Sequence, residues 1–112
     1  MSSVETKVIE PAVADSVAAT LAQRGSRYGD FTDHAALCQS ILHRLQSFVP
    51  HEAPTARPNW ERLSHVQRQA LTVIVDKIAR ILSGDPDYDD NWHDIQGYAK
   101  LVEDRLPRKE TN

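Results

Sequence analysis

The sequence predicts an all-α domain of about four amphipathic helices packed as an antiparallel bundle. Three observations predict it. Apolar residues recur at spacings of three and four in four separate segments, proline and glycine fall between those segments, and no segment alternates strictly as a half-buried strand would. No repeat of 20–50 residues is visible, and 112 residues suit a single core.

Residues 1–10 are polar and aperiodic and read as a flexible lead-in, so the helical domain is expected over 11–106, with a short tail at 107–112. Pro11 suits a first helical turn, and Val13, Val17 and Leu21 form a narrow stripe beside Ala14 and Ala18. Gly25 is the expected stop. After the turn Gly25-Ser26-Arg27-Tyr28-Gly29-Asp30, either Asp30 or Thr32 can cap a second helix. Its stripe is Cys38, Ile41, Leu42, Leu45, Phe48 and Val49, and Pro50 ends it. Pro54 and Pro58 predict an extended loop up to Trp60.

Ser64 followed by Gln67 reads as a capping box for the third helix, whose stripe is Leu71, Ile74, Ile78, Ile81 and Leu82. Gly84 and Pro86 end it. The acidic turn Asp85 to Asp90 then opens a fourth helix, with Trp92, Ile95, Ala99, Val102 and Leu106 apolar and Pro107 closing. Acids at that end oppose the positive pole of the helix dipole.

The net charge is −3 and the pI about 5.9, which disfavours wrapping of duplex nucleic acid but leaves room for a local anion pocket. The single cysteine, Cys38, rules out a disulfide within the chain and sits among Leu37, Ile41 and Leu42, so it reads as a core residue. No apolar run approaches the roughly 20 residues of a membrane helix, and MSSVETKVIE has no signal-like stretch, so a cytoplasmic location is expected. A chain this short buries only about two-thirds of its unfolded surface, so oligomerisation is expected to complete the bundle.

Three features can carry chemistry. In the RYGD turn, Arg24 and Arg27 flank a glycine and Tyr28 can stack, an arrangement suited to phosphate; a turn also needs glycine for backbone reasons alone. On the third helix, Asp76 and Arg80 are one turn apart and read as an exposed pair projecting away from the core stripe, while Lys77 lies nearer the apolar border. On the fourth, Asn91, Asp94 and Tyr98 form a polar stripe beside the apolar one. Asp90 and Asp94 also suit a solvated helix start. His34, His43, His51, His65 and His93 are dispersed and read mainly as surface residues, with His93, beside Asp94, the candidate for catalysis. There is no P-loop, Rossmann fingerprint or nucleophile elbow.

The runs RGSRYGDF at 24–31, DKIAR at 76–80 and DNWHDIQGYA at 90–99, in that order, resemble a family of small phage and prophage proteins of unknown function, over roughly residues 20–105. A more distant resemblance is to the all-α MazG-type nucleotide pyrophosphohydrolases, which hold magnesium with paired acids on successive helices. The matching stretches here read Val73-x-x-Asp76 and Asn91-x-x-Asp94, so two of the four acids are absent. The resemblance implies a nucleotide or other phosphate-bearing ligand for a phage-type accessory protein. Arg24, Arg27 and Lys77 would then meet phosphate, Tyr28, Trp92 or Tyr98 the base, and Asn91 and Asp94 would give polar readout, with Arg80 also counted among the ligand-binding residues. If the chain hydrolyses its ligand, Mg²⁺ on Asp76, Asp90 and Asp94 is the implied cofactor. A third possibility is a module acting on a host protein, with no small ligand.

Overall fold

The computed structural model describes the backbone of residues 6–107 and the side chains of residues 16–107. Among these the chain forms four α-helices and no strand: α1 (Thr6–Tyr28), α2 (Phe31–Ser47), α3 (His65–Ser83) and α4 (Asp89–Glu103). A single 3-10 turn, Asn59–Arg62, precedes α3. The all-helical prediction therefore holds. The expected lead-in and tail fall largely outside the described residues, except that α1 already runs through 6–10.

Helix α3 is the shared neighbour, packed between α2 and α4. Both pairs are antiparallel. The start of α2 meets the end of α3 through His34 and Asp76, and the start of α4 meets it through Asp94 and Lys77. Cys38 and Leu42 of α2 pack with Val75 and Ala79 of α3, supported by Leu37 and Ile41. Burying each branched side chain contributes about 1.5–3 kcal/mol.

Local signals explain the helix starts. The capping box forms as expected: Ser64 Oγ accepts from the Gln67 N–H at 3.1 Å, and Gln67 Oε1 accepts from the Ser64 N–H at 2.9 Å. Arg68 donates to the carbonyls of Trp60 and Glu61, tying the 3-10 turn to the first turns of α3. Asp30 takes the cap position of α2, although its side chain makes no capping bond.

Several boundaries and faces differ from expectation. Helix α1 starts before Pro11 and passes through Gly25, because Thr6–Glu10 contains no breaker and helical glycine costs only about 1 kcal/mol. Gly29, at φ 80°, supplies the stop instead. The loop after Pro50 closes in turns (Ala53 N–H to the Pro50 carbonyl, Ala56 N–H to Ala53) rather than running extended. Phe48 and Val49 lie just beyond α2, and Leu106 beyond α4.

The larger correction concerns which face of α3 is covered. Ala70, Val75, Ala79 and Ile81 are buried, whereas Leu71, Ile78 and Leu82 remain exposed. With neighbours on both flanks, small residues at 70 and 79 permit close approach, and the bulky line between the flanks stays open. Trp92, expected in the core, is also exposed, with its indole N–H donating to the Pro86 carbonyl at 2.8 Å. In α1, every described side chain from residue 16 to residue 26 is exposed.

A candidate ligand recess at the RYGD turn

Two turns cross at the end of α3, and two glycines let them touch. The Asp85 N–H donates to the Arg27 carbonyl at 2.7 Å. A Cβ on Gly29 would overlap the Ser83 carbonyl, and one on Gly84 would overlap the backbone of Arg27 and Tyr28. Glycine is therefore required at both positions for close backbone approach, and at Gly29 also for its positive φ. This crossing fixes Tyr28 against α3.

The Tyr28 ring is flanked by two cations. The Arg80 guanidinium lies 4.5 Å from the ring centroid and that of Arg24 5.4 Å, both within cation–π range. Arg80 is held from behind: its Nε lies 2.9 Å from Asp76 Oδ2, though without good hydrogen-bond alignment. Asp76 Oδ1 is 2.6 Å from His34 Nε2, a contact that joins α3 to α2. Arg24, Arg80, Tyr28, His34 and Phe31 line a recess of 350 Å³, with Leu21 and Asp30 at its rim.

Asp76 was expected to face solvent with Arg80. Instead it is the hub between α2 and α3, and the buried His34 replaces the surface histidine of the sequence reading. His34, Cys38 and Leu42 are spaced by four, and all three are buried. That register was the signal that His34 faces inward. Next to this hub, burial raises the Cys38 thiol above its ordinary value; Asp76 adds to the rise and Arg80 opposes it. A protonated, buried thiol fits the core role expected for Cys38.

The remaining candidates divide between other places. Arg27 turns away from the recess, its guanidinium 4.8 Å from the Tyr88 ring and donating to Tyr88 Oη at 3.2 Å. Tyr88 in turn donates to Asp90 at 2.7 Å, and that hydrogen bond is the main cause raising the phenol above its usual value. On the other flank of α3, Lys77 Nζ meets Asp94 Oδ2 at 2.9 Å. Asn91, one turn before Asp94, is fully buried, and neither end of its amide meets a protein partner. Tyr98 is half-buried in an apolar pocket with Val66, Ala70 and Leu101.

The polar border of α4 therefore does not join the arginines in one recess. Adjacent residues on a helix diverge by about 100°, so Asp76 turns to α2 while Lys77 turns to α4. The three acids proposed for a metal are also dispersed, with Asp76 on His34 and Arg80, Asp90 on Tyr88, and Asp94 on Lys77. Among the described residues no group of three His, Cys, Asp or Glu side chains could hold a metal ion. Likewise, no described helix is long and apolar enough to cross a membrane. The chain matches no protein-family model, no curated protein and no solved structure.

Proposed function

We propose that the chain binds a phosphate-bearing small molecule of mononucleotide size in the RYGD recess. One observation carries this reading: two guanidinia converge on the ring of Tyr28 at the wall of a 350 Å³ hollow. Small-ligand pockets run from about 300 to 1,000 Å³, so the hollow suits one nucleotide rather than a dinucleotide. Arg24, exposed beside the Tyr28 ring, takes the phosphate. The exposed ring of Phe31 offers a face to a base. Asp30 at the rim adds an acceptor, so the recess favours a ligand with donor groups, such as ribose hydroxyls, over bare polyphosphate.

The resemblance of the three ordered runs to small phage proteins is the support for an accessory role in the cytoplasm of an infected host. Isothermal titration against nucleoside mono- and triphosphates, cyclic nucleotides and inorganic phosphate tests the binding. Micromolar affinity for at least one nucleotide, weakened at least tenfold by Arg24→Ala, is the expected outcome. Silence across the panel removes the proposal.

Metal-dependent pyrophosphate release is the weaker reading, because its three acids each have a separate partner. Release of pyrophosphate from a nucleoside triphosphate with Mg²⁺, lost in Asp94→Ala, would reverse that ranking.

A further inference from the structure

We infer that this chain assembles with a second copy of itself by exchange of α1, each copy laying its first helix across the bare α2–α3 face of the other. Two partly uncovered apolar surfaces in one chain lead to this.

The first is α1 itself. Residues 16–23, Ser-Val-Ala-Ala-Thr-Leu-Ala-Gln, carry no charge, and all are exposed. Val17 and Leu21, one turn apart, are 54% and 64% exposed. A helix in water normally shows charge on its outer face, and one without tertiary packing is marginal below about 12–15 residues. This stretch lacks that charge, and of its side chains Leu21 reaches the recess. Among the described residues α1 meets the body toward its C-terminal end, through Arg27, Tyr28 and Gly29 at the end of α3 and through Leu21 and Arg24 at the recess.

The second surface begins at the far end. Leu45, Phe48, Trp60, Leu63 and Leu71 line an open groove of 620 Å³. Ile78 and Leu82 extend Leu71 along one line of α3 at spacings of seven and four. Asp76 and Arg80 stand two residues from that line, about half a turn away, so the apolar face and the ligand recess look in different directions.

Neither surface covers the other within one chain, but together they match. Val17, Leu21, Leu45, Phe48, Leu71, Ile78 and Leu82 together expose on the order of 600 Å² over the two surfaces, as much as the largest single patch of a typical monomer. Two copies then bring about 1,200 Å², the lower bound of a stable interface. A described α1 of 23 residues is about 34 Å long, enough to reach across a neighbouring body. Its uncharged, alanine-rich side permits close approach, and Val17 and Leu21 supply the side chains for the groove. Reciprocal exchange about a twofold axis uses each surface once and closes the assembly. Leu21 also stands at the rim of the ligand recess, whereas Ile78 and Leu82 do not line it, so the α3 substitutions test the assembly separately from the ligand reading.

Sedimentation velocity and light scattering on the full chain test it. A mass twice the 12.6 kDa of the chain, or an even multiple of it, is expected at micromolar concentration. Ile78→Lys with Leu82→Lys should weaken association at least a hundredfold, as should Val17→Lys with Leu21→Lys, with helical circular dichroism retained in both. Mixing chains that carry Leu21→Cys with differently tagged chains that carry Leu71→Cys should give a mixed disulfide. A monomeric wild-type chain overturns the proposal, even if a host protein is captured by the same face. So does association that survives the α1 substitutions, since the bare faces would then pair without α1.

Discussion

Replacing Asp76 with alanine removes one carboxylate that two helices share, and the structure gives a magnitude for the loss. As an exposed i,i+4 pair with Arg80 alone, Asp76 would contribute a few tenths of a kcal/mol. Its actual setting differs. His34 and Arg80 have side chains only 8% and 18% exposed, while Asp76 itself is 31% exposed. A hydrogen bond to a charged group contributes about 1.5–3 kcal/mol when buried, and an exposed ion pair under about 1 kcal/mol. Two contacts of intermediate exposure place Asp76→Ala at about 2–3 kcal/mol of destabilisation. Asp76→Asn keeps an acceptor for His34 but loses the charge facing Arg80, and should cost about 1–2 kcal/mol. Urea unfolding followed by circular dichroism, at equal chain concentration, measures both. A double-mutant cycle with His34→Phe should then return a coupling above about 1 kcal/mol. An Asp76→Ala loss below about 0.5 kcal/mol would refute the hub and return Asp76 to the surface.

The two glycines that bracket the RYGD turn should respond with opposite sign. Gly25 is helical with open space where a Cβ would go, so Gly25→Ala should stabilise by about 0.5–1 kcal/mol, whereas Gly29→Ala should destabilise by at least about 2 kcal/mol, as read from urea midpoints. Asn91→Leu exchanges a buried amide without protein partners for an apolar side chain of similar size. A gain of about 1 kcal/mol is expected in the same assay, and a loss would mean that the amide is satisfied in solution. Cys38 should resist thiol reagents in the native state and react on unfolding. Because its folded value is raised, its contribution to stability is complete below its ordinary value of 9.0 and falls as pH rises beyond that; Cys38→Ala should flatten this alkaline loss in pH-dependent unfolding.

What was legible in the sequence was local. The capping box at Ser64 and Gln67 involves residues three apart, so the pattern and the geometry coincide. The Asp76–Arg80 pair was legible for the same reason, but the partner that changes its meaning, His34, is 42 residues away. Periodicity located the line of Leu71, Ile78 and Leu82 on α3 without revealing that it stays partly exposed. Amphipathic spacing identifies an apolar face; which faces are covered depends on where the neighbouring helices dock. Ala70 and Ala79 mark the true flanks and are too small to stand out in a hydrophobic pattern. Gly25 and Gly29 show the same limit, since the nearby Ser83 carbonyl and a positive φ, both set by the fold, distinguish the glycine that must be there from the one that need not.

The position of the recess follows from that division of labour on α3. One line of the helix is left to apolar contact, one flank closes on α4 through Lys77 and Asp94, and the flank toward α2 carries Asp76 and Arg80. Arg80 is therefore oriented by a carboxylate that α2 also grips, and the turn crossing at Gly29 and Gly84 brings Tyr28 onto it. A cationic wall built this way is fixed before any ligand arrives, which lowers the ordering cost of binding. Arg24 is the exception, exposed on α1 and held mainly by the ring of Tyr28. If a second copy fixes α1, it fixes Arg24 as well. Affinity for a phosphate should then rise with chain concentration through the range in which the chain associates, and the α1 substitutions should abolish that dependence.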